Sequence, residues 1–126
     1  MAYYDTIRLV ANDTKPEIHF TLLDSNTPVS GLNLDPDDSS TWQPIDISNA
    51  TVRVRFRSLG AEETLDMLTC VNVPPYADGK CFMQWNTDTL AVAAGTYEGE
   101  IELEYADGRK LTLFDKLKFK VRGDFA

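Results

Sequence analysis

The stretch Gly95 to Tyr105 reads GTYEGEIELEY and alternates between two kinds of side chain. One face carries apolar and aromatic residues with Gly99 between them, and the other carries glutamates at positions 98, 100, 102 and 104. Because successive side chains of a β-strand point to opposite faces, this period of two predicts a strand with one buried face.

Two other stretches show the same alternation with the opposite charge. Thr51 to Ser58 reads TVRVRFRS, and the last predicted strand, Lys110 to Arg122, ends in KLKFKVR. Like charges directly across a strand pair destabilise it, whereas opposite charges stabilise it by about 0.2–1 kcal/mol. We therefore predict that the glutamate strand lies between the two basic strands.

The pattern allows a first short strand at Thr6 to Val10, and further strands are predicted at Glu17 to Leu23, Glu63 to Val73 and Lys80 to Trp85. Leu65 and Met67 supply apolar side chains to the strand at Glu63 to Val73. Turns are predicted at Asp78-Gly79 and at Ala106 to Arg109. No segment has the pattern of a long amphipathic helix.

Six to eight short strands separated by turns are typical of an antiparallel β-sandwich. The predicted fold class is all-β and immunoglobulin-like. In an immunoglobulin sandwich strands C, F and G are adjacent with F in the middle, and this is the position that the charge pattern predicts for the glutamate strand. We expect one domain over residues 1–126, with flexible or docking termini at 1–5 and 123–126 and a long inserted loop at 25–49. That insertion is rich in Ser, Asp, Asn and Pro, and it has room for a short strand near Leu32 to Leu34.

The charge balance excludes several function classes. Acidic residues outnumber basic ones 20 to 12, and the net charge is -8. This balance opposes binding to nucleic acid and to anionic membranes. The first ten residues, MAYYDTIRLV, lack the charged and apolar regions of a secretory signal.

Few residues are suited to catalysis. The chain has one histidine, His19, in a predicted strand, and it lacks GxGxxG, P-loop, GxSxG and HExxH motifs. Asp35 to Ser40 gathers oxygen atoms without the spacing of an EF-hand, so we interpret it as a solvated acidic loop. We predict no enzymatic activity, no cofactor and no metal. Cys70 and Cys81 flank a predicted turn, where we expect reduced core thiols and leave a disulfide open.

The aromatic residues allow one interpretation of function, a carbohydrate-binding module. Trp85 and Tyr97 lie in strand patterns and are expected in the core, whereas Trp42 and Tyr76 lie in predicted loops. Exposed aromatic side chains are enriched at interfaces, and in a carbohydrate-binding module they would stack on sugars. A small hydrolase with a carboxylate pair is the third alternative.

Two motifs carry a resemblance. Ile47 to Arg57 reads ISNATVRVRFR, and Ala94 to Gly108 reads AGTYEGEIELEYADG. The chain resembles, from Asp13 to Val121, the N-terminal domain family of phage baseplate upper proteins and related tail proteins. It departs from that family in its Ser25–Asn49 insertion and in ending at Ala126, whereas many members continue into receptor-binding or coiled-coil segments.

The resemblance implies a virion structural protein of the tail, baseplate or neck, assembled in the host cytoplasm and acting by protein–protein contacts. Its partners would be other virion proteins or further copies of itself, with no nucleic acid and no membrane. A capsid decoration protein and a host-surface-binding module are alternatives. The expected contact residues are Tyr3, Tyr4, Ile7, Leu32, Leu34, Trp42, Ile45 and Tyr76.

Overall fold

The computed structural model describes residues 3–113 and 116–125, with side chains from residue 6 onward in those ranges. The described residues form short strands, two 3₁₀ turns (Ser39–Thr41 and Tyr76–Asp78) and no α-helix. None of their helical segments has the length and apolar character needed to cross a membrane. The strands are β1 (Tyr3–Val10), β2 (Ile18–Thr21), β3 (Leu23–Pro28), β4 (Trp42–Pro44), β5 (Ala50–Ser58), β6 (Asp66–Thr69), β7 (Val71–Asn72), β8 (Lys80–Met83), β9 (Gly95–Tyr105), β10 (Lys110–Thr112) and β11 (Lys116–Arg122).

The largest sheet has the order β1-β11-β9-β5-β6, and β10 pairs with the part of β9 that β11 does not reach. A second sheet has the order β2-β8-β7, and β3 pairs with β4 in a third. The β1–β11 pair is parallel, and the other described pairs are antiparallel. The fold is therefore all-β and mainly antiparallel, as predicted.

One hydrophobic core joins the buried faces of the two larger sheets. Phe56 of β5 stacks on Tyr97 of β9 with ring centroids 5.1 Å apart, and the Trp85 ring meets Phe56 and Phe119 edge-on. Trp85 and Tyr97 are both buried, which confirms their predicted place in the core. Burial of each such side chain stabilises the fold by roughly 2–3 kcal/mol.

Gly99 leaves space for this aromatic cluster. A Cβ atom at this position would lie 3.0 Å from side-chain carbons of both Phe119 and Val54. The core face of β9 therefore needs a residue without a side chain between Tyr97 and Ile101.

The strand predicted at Glu17 to Leu23 is interrupted at Leu22. The Leu22 N–H donates to the Gly79 carbonyl (2.8 Å), and its own carbonyl accepts from the Ile45 N–H (2.9 Å). These bonds take the completely buried Leu22 out of the β2–β8 ladder, and the chain continues into β3 beside β4.

The predicted strand at Glu63 to Val73 is also divided, into β6 and β7, and its buried face was assigned wrongly. Leu68 and Cys70 are buried, whereas Leu65 and Met67 are 49% and 39% exposed. The segment has apolar residues at both odd and even positions, so a period of two does not identify the inner face.

The insertion is more regular than a long loop. Residues 23–28 and 42–44 pair as β3 and β4, and Leu32 to Leu34 lies outside the strands. The described strands number eleven, above the predicted six to eight, because predicted strands are divided and the insertion adds β4. The first strand also begins earlier than the predicted Thr6, since β1 starts at Tyr3.

Gly79 is predicted to be the glycine most sensitive to substitution. It has a φ of +69°, and a Cβ there would lie 2.6 Å from the Leu22 carbonyl oxygen and 2.9 Å from that of Ile45. Gly79→Ala should therefore lower the free energy of unfolding by about 2 kcal/mol or more, measured by urea denaturation.

Gly60→Ala is the matched control, because Gly60 has a φ of +78° and a Cβ there would meet no other atom within 4 Å. It should cost about 1 kcal/mol, from backbone conformation alone. Equal losses for the two variants would contradict the role assigned to the close approach at Gly79.

Candidate interaction surface

The outer face of the large sheet carries a ladder of opposite charges. β9 lies between β5 and β11, which confirms the predicted strand order. In the β5–β9 register, Arg57 faces Glu98, Arg55 faces Glu100 and Arg53 faces Glu102.

The side chains of the ladder connect both directly and diagonally. Arg57 Nε donates to Glu98 Oε1 directly opposite (2.6 Å). Arg55 and Arg53 instead reach the glutamates two positions further along β9, Glu102 and Glu104, each at 3.5 Å. The ion pairs thus link β5 to β9 in two ways, between directly opposed residues and between residues two positions apart in the strand register.

Glu98 is the buried member of the ladder. Its side chain is only 3% exposed, with Arg57 on one side and Lys116 Nζ at 3.9 Å on the other. A carboxylate held in such a position depends on its partners, because an uncompensated buried charge is strongly destabilising. The other ladder glutamates are half-buried.

The expected contact residues fall into different environments. Leu32, Leu34 and Tyr76 are exposed and Ile7 is half-buried. Tyr3 and Tyr4 belong to the backbone of β1, and their side chains lie outside the described residues.

Two of the expected contacts need correction. Ile45 is only 7% exposed and belongs to the core, because its N–H bond to Leu22 draws the end of the insertion inward. Trp42 lies in β4 instead of a loop and is half-buried, and its indole Nε1 donates to the Asp35 carbonyl (2.9 Å). Trp42 therefore holds the insertion together from within.

Carboxylates also organise the turns of the insertion. Asp38 Oδ1 accepts from the Ser40 hydroxyl (2.7 Å) and the Ser40 N–H (3.0 Å), and these bonds lower the pKa of Asp38. The Ser48 N–H likewise lowers the pKa of Asp46. Both carboxylates therefore remain ionised further into acid than free aspartate does, and their turn-stabilising bonds are lost only as pH falls through those lowered pKa values.

The end of the large sheet at Tyr105, where β9 ends, has a negative electrostatic environment. Burial, followed by the charges of Asp46 and Asp24, raises the pKa of Tyr105 at the end of β9. The Tyr105 hydroxyl also lies 3.5 Å from the Asp46 carbonyl oxygen. The insertion thus begins and ends beside Tyr105 with acidic residues.

Exposed apolar side chains cluster near the β5–β6 hairpin, where the sequence pattern predicts none. Leu59, Leu65 and Met67 are each between 39% and 49% exposed, and Met67 lies opposite Arg55. The sequence does contain a signal for this exposure. β6 has apolar residues at both odd and even positions, and because alternate side chains of a strand point to opposite faces, one of these sets must face outward.

The two cysteines are free and buried, which confirms the expectation of core thiols. Cys70 lies where β6 ends, and Cys81 lies in β8 opposite Asn72 of β7. A hydrogen bond with the Cys81 thiol, together with burial, raises the pKa of Cys70. A buried thiol held in its neutral form is a poor nucleophile.

Groups suited to chemistry are separated on the described surface. The His19 side chain is 67% exposed and lies 3.2 Å from the Glu17 carboxylate. Within residues 3–113 and 116–125, His, Cys, Asp and Glu side chains form no cluster of three or more suited to a metal ion. Burial of Trp85 and Tyr97 also removes them as a platform for sugar stacking.

Comparison with known proteins adds no relative. No model of a protein family matches the chain, and no curated protein matches it.

Arg57→Met should be the most damaging substitution in the charge ladder. It removes the 2.6 Å ion pair of the nearly buried Glu98 and leaves the lysines of β11, with Lys116 Nζ at 3.9 Å and Lys118 opposite Glu98 in the strand register. The expected loss of stability is about 2–4 kcal/mol in chemical denaturation. Arg53→Met is the control, because the partner Glu104 is 35% exposed, and it should cost under about 1 kcal/mol. If both variants lose the same stability, burial of Glu98 does not set the cost.

The thiols should be protected in the native protein. A disulfide-exchange reagent such as Ellman's reagent should modify Cys70 and Cys81 roughly 100-fold more slowly in buffer than in denaturing urea, because reaction requires local opening. Intact mass should be the same with and without reductant. Rapid labelling of the folded chain would contradict the buried assignment.

Proposed function

We propose that this chain is a phage virion structural module of the tail, baseplate or neck that acts through protein–protein contacts. The observation that carries the proposal is the outer face of the large sheet. Its charges are largely paired, and it is bordered by exposed Leu59, Leu65 and Met67 at the β5–β6 hairpin. Arginine and methionine are enriched at protein–protein interfaces, and both residue types occur on this face.

We further propose that the sandwich is of the immunoglobulin type. In that arrangement β5, β9 and β11 correspond to strands C, F and G, and β6 takes the position of C′. The β2-β8-β7 sheet corresponds to strands B, E and D. The adjacency of β5, β9 and β11 supports this assignment.

The virion assignment is supported by where the family-like motifs lie. ISNATVRVRFR leads into β5, and AGTYEGEIELEYADG covers β9 and the turn after it. These two segments are adjacent along their whole paired length, from Ala50 opposite Tyr105 to Ser58 opposite Tyr97. The resemblance therefore falls on the centre of the sheet, where packing constrains the sequence.

The test is the protein content of purified particles. Phage particles released by the strain that encodes this chain are purified on a density gradient and analysed by quantitative mass spectrometry. They should contain peptides of this chain at a fixed ratio to a major structural protein of the particle. An abundant host cytoplasmic protein serves as the contamination control. If the chain falls to the level of that control on purification, it is not a virion component.

A further inference from the structure

The charge ladder ends near one edge of the large sheet, where basic side chains have no ion-pair partner among the described residues. Lys120 of β11 faces Thr96 of β9, where the preceding lysine, Lys118, faces Glu98. On its other side Lys120 faces Arg8 of the parallel strand β1, and Arg122 faces Val10. Like charges in directly opposed positions destabilise a strand pair, so an opposing anion would relieve this arrangement.

These residues line a groove of about 320 Å³, formed by Arg8, Leu9, Val10, Lys120, Val121 and Arg122. Within the described part of the chain, neither Arg8 nor Lys120 forms an ion pair. The Arg122 guanidinium lies 5.1 Å from the ring centroid of Phe125 and donates to the Gly123 carbonyl. This groove is therefore lined by basic side chains, although the net charge of the chain is -8.

The acidic insertion is attached at the opposite end of the sheet. Lys120 lies beside Thr96 at the beginning of β9, whereas Asp24 and Asp46 act on Tyr105 at its end. Tyr105 lies nine positions beyond Thr96 in the extended strand, a distance of roughly 30 Å. The molecule is therefore polarised along β9, with a basic groove near one end and acidic residues at the other.

We propose that the basic groove binds the acidic insertion of a second copy of this chain, so that copies associate head to tail. The segment Asp35 to Asp38 provides three exposed carboxylates for Arg8, Lys120 and Arg122. The hydrogen bond from the Asp37 N–H to Asp35 and those from Ser40 to Asp38 hold this segment in a defined turn. Less conformational freedom is then lost on binding.

Apolar contacts fit the same arrangement. Leu32 and Leu34 are 50% and 37% exposed on the approach to the acidic turn. Val10 supplies an apolar wall between the basic side chains of the groove. Because groove and insertion are different surfaces, the contact is heterologous, and repeated association gives a ring or a filament rather than a closed two-fold dimer.

This inference rests on the proposed function, since it names another copy as one partner of the virion module. The experiment is sedimentation velocity on the purified chain over a concentration series, at about 0.1 M and about 1 M salt. We expect concentration-dependent association at the lower salt and at least a tenfold weaker association at the higher, where the Debye length falls from about 10 Å to about 3 Å.

Variants assign the contact. Arg8→Glu combined with Lys120→Glu should weaken association at least tenfold at the lower salt, and so should Asp37→Lys. The control, Lys15→Glu with Arg109→Glu, makes the same change in net charge outside the groove and the insertion and should associate like the wild type. Circular dichroism establishes that each variant is folded.

Mixing the groove variant with Asp37→Lys provides the decisive result. The groove variant retains a native insertion and Asp37→Lys retains a native groove, so the mixture should form a discrete heterodimer that neither variant forms alone. A wild type that stays monomeric, a control that loses association equally, or a mixture without heterodimer would overturn the inference. Detection in purified particles would still stand in each of those cases, so the two proposals fail separately.

Discussion

The row of glutamates on β9 constrains where the other strands of the large sheet can lie. Four like charges on alternate positions repel each other in isolation, and Glu98 is almost completely removed from water. The row becomes compatible with a folded sheet because β5 places arginines along one side of it. On the other side β11 places lysines beside Glu98, and β10 places Lys110 opposite Glu104. The aromatic core beneath then follows, since the same three strands carry Phe56, Tyr97 and Phe119 on their inner faces.

Much of this arrangement is readable from the sequence, because charge and hydrophobic alternation are both local signals. The outward charges of β5, β9 and β11 predict which strands are neighbours, and the inward side chains predict the core. The turn at Gly79 and the turn at Gly108 are also predicted, and both glycines have a positive φ. In these regions local propensity, strand pattern and electrostatics favour the same structure.

The remainder depends on contacts between distant segments, which a local pattern does not contain. The Ile45 N–H donates a backbone hydrogen bond to the Leu22 carbonyl across the base of the insertion, and this turns an apparent loop residue into a core residue. Trp42 is similarly occupied by the Asp35 carbonyl. For the contact surface, the sequence places Leu32, Leu34 and Tyr76 correctly outside, but the groove at Arg8 and Lys120 requires knowing that β1 pairs with β11.

The parallel pairing of β1 with β11 also has a mechanical consequence. Tyr3 lies beside Lys116 and Val10 beside Arg122, so the chain enters β1 and leaves β11 at opposite ends of the pair. Tension applied between those two points slides one strand along the other, and the hydrogen bonds of the ladder share the load instead of opening one after another. An element loaded in shear resists extension more than one that is peeled from its end.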